Sequence, residues 1–117
     1  MLIRKEQLDA FQRAADHDYE MRLVRFVQDQ FPDAAHEPEA SLAEGIREQI
    51  AKARSYGLLT EAQIATYITS AWLLGGDFDR EFPAARQMLR SDAPTDEKSD
   101  WLERFTKDLF EQLEQRF

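Results

Sequence analysis

Apolar residues recur at three- and four-residue steps along most of this chain. Nowhere do they alternate with polar residues as a half-buried strand requires. From about Arg4 to Phe31 the positions Leu8, Phe11, Ala15, Tyr19, Leu23 and Phe26 fall on one helical face. A helix of that length reaches about 40 Å. Pro32 ends it, because proline disfavours helical geometry at the residue before it and has no amide to donate. The run PDAAHEP, residues 32–38, is then a connection.

A second helix is predicted over SLAEGIREQIAKARSYG, with Leu42, Ile46, Ile50, Ala53 and Tyr56 as its stripe. Ser41 and Glu44 have the capping-box spacing, although Pro38 equally suits an earlier start. Gly57 suits the left-handed position just past a helix end. Thr60 and Gln63 repeat the capping spacing at the head of a third helix. From Ala62 to Gly76 this helix has no charged side chain, and its apolar residues cover most of its circumference. A helix apolar nearly all round is buried nearly all round, so the helix over 61–75 is expected at the centre. Gly75 and Gly76 stop it. A short helix is expected next, opened by Asp79 or by the Phe82-Pro83 step, with Ala85, Met88 and Leu89 facing inward. Ser91 to Pro94 forms a turn. Thr95 caps a last helix in which Trp101, Leu102, Phe105, Leu109, Leu113 and Phe117 line the buried side. The expectation is an all-α protein. It is a compact bundle of four longer helices plus one short helix, in a single domain over 1–117.

Composition narrows what such a bundle does. The chain has 117 residues, no cysteine and a net charge of −8. Without cysteine there is neither a disulfide nor a thiolate metal site. The acidic balance argues against nucleic acid, whose phosphates are held by Lys and Arg. No stretch approaches the roughly 20 apolar residues of a membrane span. The opening MLIRKEQLDAFQRA turns polar after three residues, unlike a signal peptide, so a cytoplasmic location is expected. The acid is uneven: residues 94–117 hold seven acids against four bases. If that face binds anything, its partner is a basic protein surface.

Candidate chemistry is sparse. His17 with Glu20 has one-turn spacing, and His36 precedes Glu37, but no second metal-ligand pair accompanies them, so solvated histidines are expected and no metal. Asp77, Asp79 and Glu81 alternate as in a calcium loop, yet Phe82 and Met88 stand where glycine and glutamate are required. A helix stop, a tight turn and a new helix start are expected there. No serine has a nucleophile-elbow setting, and neither HExxH nor a phosphate-binding loop occurs. No catalytic residue and no cofactor are assigned. An enzyme built on the Asp77, Asp79 and Glu81 carboxylates is the remote alternative; it requires a concave pocket and raised carboxyl pKa values. Aromatics are the surplus: eight Phe, three Tyr and two Trp. Phe78, Phe82, Phe110 and Phe117 sit uncomfortably on the core stripes. With Asp100 and Glu103 on the acidic last helix, they are the candidate protein-binding residues.

The chain resembles the small helical accessory proteins of bacterial type VI secretion loci. In the first helix Tyr19, Arg22, Leu23, Val24, Phe26 and Val27 match that family's pattern, which ends in a Phe-Pro step like Phe31-Pro32. Tyr56-Gly57-Leu58, then Leu74-Gly75-Gly76-Asp77-Phe78-Asp79, resemble its later steps, and Pro83 to Leu89 and Trp101 to Phe105 follow in order. The acidic stretch SDAPTDEKSD departs from it. The resemblance implies a non-enzymatic adaptor or co-chaperone whose partner is a secreted effector, its chaperone or a spike-tip protein. The alternative is an immunity protein that neutralises a cognate toxin. Both a monomer and a helix-mediated homodimer suit the pattern.

Overall fold

The computed structural model describes the backbone of residues 5–115 and the side chains of 16–112. Among the described residues six helices follow one another: α1 (Lys5–Gln30), α2 (Glu39–Ser55), α3 (Glu61–Leu74), α4 (Phe78–Glu81), α5 (Pro83–Arg90) and α6 (Thr95–Gln115). A 3₁₀ turn, Pro32–His36, joins α1 to α2, and no strand occurs among the described residues. The protein is all-α, as the periodicity predicts. The chain divides into two compact units, Met1–Arg47 and Glu48–Phe117, with the boundary inside α2.

In the first unit Phe31 is extended (φ −127°, ψ 101°), and its amide closes the last turn of α1 on the Val27 carbonyl at 2.9 Å. Pro32 then starts the 3₁₀ turn from its first position, where no amide is needed. Among its described side chains, Leu23, Val24, Val27, Ala34, Leu42 and Ile46 are the buried apolar ones. Arg47 donates to both oxygens of Glu20, at 3.0 and 3.2 Å, which ties α2 to α1.

The start of α2 differs from the Ser41 cap. The helix begins at Glu39, and the Pro38 carbonyl accepts the first bond, from the Leu42 amide at 3.0 Å. Ser41 is therefore inside the helix, where its hydroxyl cannot serve the first-turn amides. The start thus falls at the earlier of the two signals, with Pro38 in the N-cap position.

In the second unit α3 packs along α6 and meets α4, and α5 packs on α4 and α6. The capping box of α3 forms as predicted: Thr60 Oγ1 accepts from the Gln63 amide at 3.1 Å, and Gln63 Oε1 accepts from the Thr60 amide at 3.3 Å. The Gln63 amide nitrogen also reaches Asp96 of α6 at 2.9 Å, and Ser70 and Thr106 share a buried hydrogen bond of 2.7 Å. Burial of α3 is deep but not all round. Ile64, Tyr67, Ile68 and Ala71 are buried, Ala62 is exposed, and Trp72, Leu73 and Leu74 are half-buried.

The expected short helix is two. Phe82 takes extended geometry (φ −102°, ψ 110°) because Pro83 follows it, and this break separates α4 from α5. At the start of α6, Thr95 is the first helical residue rather than the cap, and the Pro94 carbonyl accepts the first bond from the Lys98 amide at 3.0 Å.

Candidate functional site

Two places were candidates for function: the loop between α3 and α4, and the last helix. In the loop, Gly75 has a φ of +109°, which frees the chain to leave α3 in a direction an L-residue resists. The turn brings Asp77 and Asp79 under the C-terminal half of α2. Lys52 Nζ donates to the Gly76 carbonyl at 2.8 Å and to Asp77 Oδ1 at 3.1 Å, and lies 3.5 Å from Asp79 Oδ1. Asp79 is only 3% exposed, and Tyr56 Oη donates to its other oxygen at 2.6 Å. Arg80 adds a bond to Asp77 Oδ1 at 2.9 Å.

These charges are satisfied by one another, which is the signature of a fastening. The Lys52 and Arg80 cations hold the Asp77 carboxyl below its ordinary range, the opposite of the shift a general acid needs. Burial, then the hydrogen bond to Asp79, push the Tyr56 phenol up to about 12. Tyr67, buried against Phe78 with ring centroids 5.0 Å apart, is pushed upward as well, by burial first and the Asp79 charge second. Its hydroxyl has no hydrogen-bond partner. Of the three alternating acids, Asp79 is buried, while Asp77 and Glu81 are exposed. The helix stop and tight turn are as expected, but Asp79 does not open a helix; it lies inside α4 with Asp77 at the N-cap position.

Phe78 requires a correction. It was grouped with the binding aromatics, and it is fully buried. As the first residue of α4 it turns inward beneath Tyr67, so its ring offers a partner nothing.

The last helix holds the exposed aromatic surface. Trp101 and Phe105, one turn apart, stack with centroids 4.7 Å apart and ring planes 10° from parallel. Phe82, released from helical geometry by Pro83, meets the Phe105 ring edge-on at 5.9 Å. All three rings are half-buried. A groove on α6 is lined by Trp101, Arg104, Phe105, Asp108, Leu109 and Gln112. Asp100 and Glu103, both exposed, line a second groove with Arg104 and Lys107.

Phe82 thus lies against a Trp101–Phe105 pair that the periodicity assigned to the core, whereas Asp100 and Glu103 stand about 140° and 160° round the helix from Phe105. Phe110 is 37% exposed. It stands five residues from Phe105, about 140° round the helix, and so lies off the aromatic ridge. Phe117 lies outside the described residues. Leu59, 71% exposed just before α3, is an apolar surface residue the periodicity missed.

His17 and His36 are both exposed, and Glu20, the carboxylate near His17 in sequence, is bound by Arg47. Among the described residues no three metal-ligating side chains gather, and no helix is long and apolar enough to cross a membrane. No family model, no curated protein and no solved structure matches the chain.

Proposed function

We propose that this protein is a non-enzymatic adaptor or co-chaperone that acts in the cytoplasm. It holds a type VI secretion effector, or that effector's chaperone, through the aromatic face of α6 while the effector is loaded. The observation that carries this reading is the stacked Trp101–Phe105 pair, left half-exposed on an otherwise charged helix and backed by Phe82. Aromatic rings held in place beforehand lose little side-chain entropy on docking, and they are the side chains on which binding energy concentrates. The satisfied ion pairs of the 75–79 loop favour a binding role over a carboxylate enzyme, because both aspartates are engaged by Lys52. Resemblance to type VI accessory proteins supplies the partner class.

The test is co-purification of the tagged chain with the products of its neighbouring genes, together with secretion assays after deletion. The reading requires a stable complex with an effector or its chaperone, and loss of that effector's export while the cells stay healthy. Normal export and no complex would overturn it.

A second reading is favoured by one observation, the exposed acids of α6. Asp100, Glu103, Asp108 and Glu111 suit a basic toxin, and the protein would then confer immunity. In that case deletion makes the producing cell sensitive to its own toxin and leaves secretion intact.

A further inference from the structure

The exposed side of α6 is ordered into two parallel ridges, and their chemistry specifies what fits between them. One ridge is aromatic and aliphatic: Trp101, Phe105 and Leu109, spaced by four residues and all half-buried. The other runs beside it at helical spacing: Glu97, Asp100, Arg104, Asp108 and Glu111, every one exposed. At 100° per residue each member of the second ridge lies between about 60° and 140° from Phe105, all on the same side. Four of its five residues are acidic. Arg104 is its base, with the guanidinium Nε turned back to the Asp100 carbonyl at 3.3 Å, and exposed Lys107 borders the ridge beside Asp100 and Arg104, so the face as a whole stays net acidic.

From this arrangement we infer that the α6 face receives one amphipathic helix of a protein partner, with Leu-like residues on the aromatic ridge and Lys or Arg along the acidic one. This rests on the adaptor reading above and specifies the partner's binding element. Helix-in-groove recognition uses apolar anchors three and four residues apart, the spacing of Trp101, Phe105 and Leu109. The second ridge sets the sign of the charge. An acidic helix laid in the same register would bring like charges together along its length, and that repulsion excludes it; a neutral helix gains no charge pairing there. A second copy of α6 has the same acidic ridge, so a symmetric α6 pair is disfavoured by the same charges.

The full-length protein is titrated with a synthetic helical peptide of about 18 residues, long enough to lie along the described part of α6. One peptide has Leu on one face and Lys on the other; its twin replaces every Lys with Glu. The Leu/Lys peptide should bind with a Kd in the micromolar range, about −8 kcal/mol, and the Leu/Glu twin should not bind. The double variant D108K/E111K alters exposed side chains only, so its circular dichroism should match the wild type. It should weaken the Leu/Lys peptide about tenfold or more. A control, D33K/E37K, reverses two exposed acids of the first unit and should change binding less than about twofold.

Equal binding of both peptides overturns the inference, as does equal weakening by the control variant. A wild-type dimer in sedimentation equilibrium that dissociates on Phe105→Glu also overturns it, since a second copy would then occupy the face. The two levels separate cleanly. If a neighbouring gene product binds wild type and D108K/E111K alike, the adaptor stands and the α6 helix mode falls. If no neighbour product binds and effector export is normal while the Leu/Lys peptide binds as described, the adaptor falls and the surface chemistry stands.

Discussion

Lys98 is the most revealing residue to change, because it is a charge the fold has drawn inside. Only 7% of it is exposed. Its ammonium donates to the Leu89 carbonyl at 2.9 Å and the Tyr56 carbonyl at 3.3 Å. Leu89 is in the last turn of α5, and Tyr56 directly follows the end of α2. One cation therefore serves the ends of two helices, where carbonyls lack intrahelical partners and the helix dipole is negative. Lys98→Met keeps the length and most of the apolar stem while removing the charge and both bonds. Each ammonium–carbonyl bond contributes about 1.5–3 kcal/mol. Removing the charge also relieves its desolvation, a return of a few kcal/mol at most. The balance is a net destabilisation of about 2–4 kcal/mol, equivalent to a fall in Tm of about 10 °C or more. Urea unfolding followed by tryptophan fluorescence and by circular dichroism measures it. If Lys98→Met matches or exceeds wild-type stability, desolvation dominates the site and the helix-end account is wrong.

Three further outcomes follow from the same unit. Tyr67→Phe deletes a buried hydroxyl that has no partner, so stability in urea should stay level or rise by up to about 1 kcal/mol; a loss above that would mean the hydroxyl is bonded in solution. The phenol of Tyr56 titrates near 12, above its ordinary value of 10.0, so its share of stability is full below pH 10 and is lost as pH rises through about 12. Tyrosinate absorbance should show that high titration in the wild type and, in Asp79→Asn, a value part of the way back, since burial persists while the carboxylate charge is gone. Gly57→Ala should cost about 1–2 kcal/mol in a thermal melt, because Gly57 has a φ of +89° and an added Cβ would stand 3.1 Å from Thr95 Cγ2.

What the sequence made legible was mainly local. The Thr60–Gln63 box and the Gly57 turn depend on neighbours within four residues, and both form as read. So does the Pro32 stop. Ser41 failed locally, because two start signals lay three residues apart and only geometry chooses between them. The two-helix form of 78–90 is only partly legible: Pro83 marks a helix start, and the break it forces at Phe82 leaves α4 as a single turn that no side-chain cap signals. Tertiary placement was harder to see. Phe78 lies off the predicted core stripes, in the connection after Gly76, and it is buried because α4 starts at that residue and turns it against Tyr67. Trp101 and Phe105 obey the same four-residue rule as true core residues, and periodicity alone cannot say that a stripe is only half covered. Lys98 gave no signal at all, since its partners are main-chain carbonyls 9 and 42 residues away.

The break at Phe82 has a wider consequence. Only Arg80 and Glu81 separate Asp79, fastened to Lys52 and Tyr56, from Phe82, which abuts Phe105. A short stiff lever thus joins the inner fastening to the outer aromatic ridge. On the adaptor reading, a genetic screen for lost partner binding should return changes at Lys52 and Tyr56 alongside those at Phe105, although neither touches the ridge. Second-site suppressors of such alleles should cluster along 79–83, where the lever can be re-set.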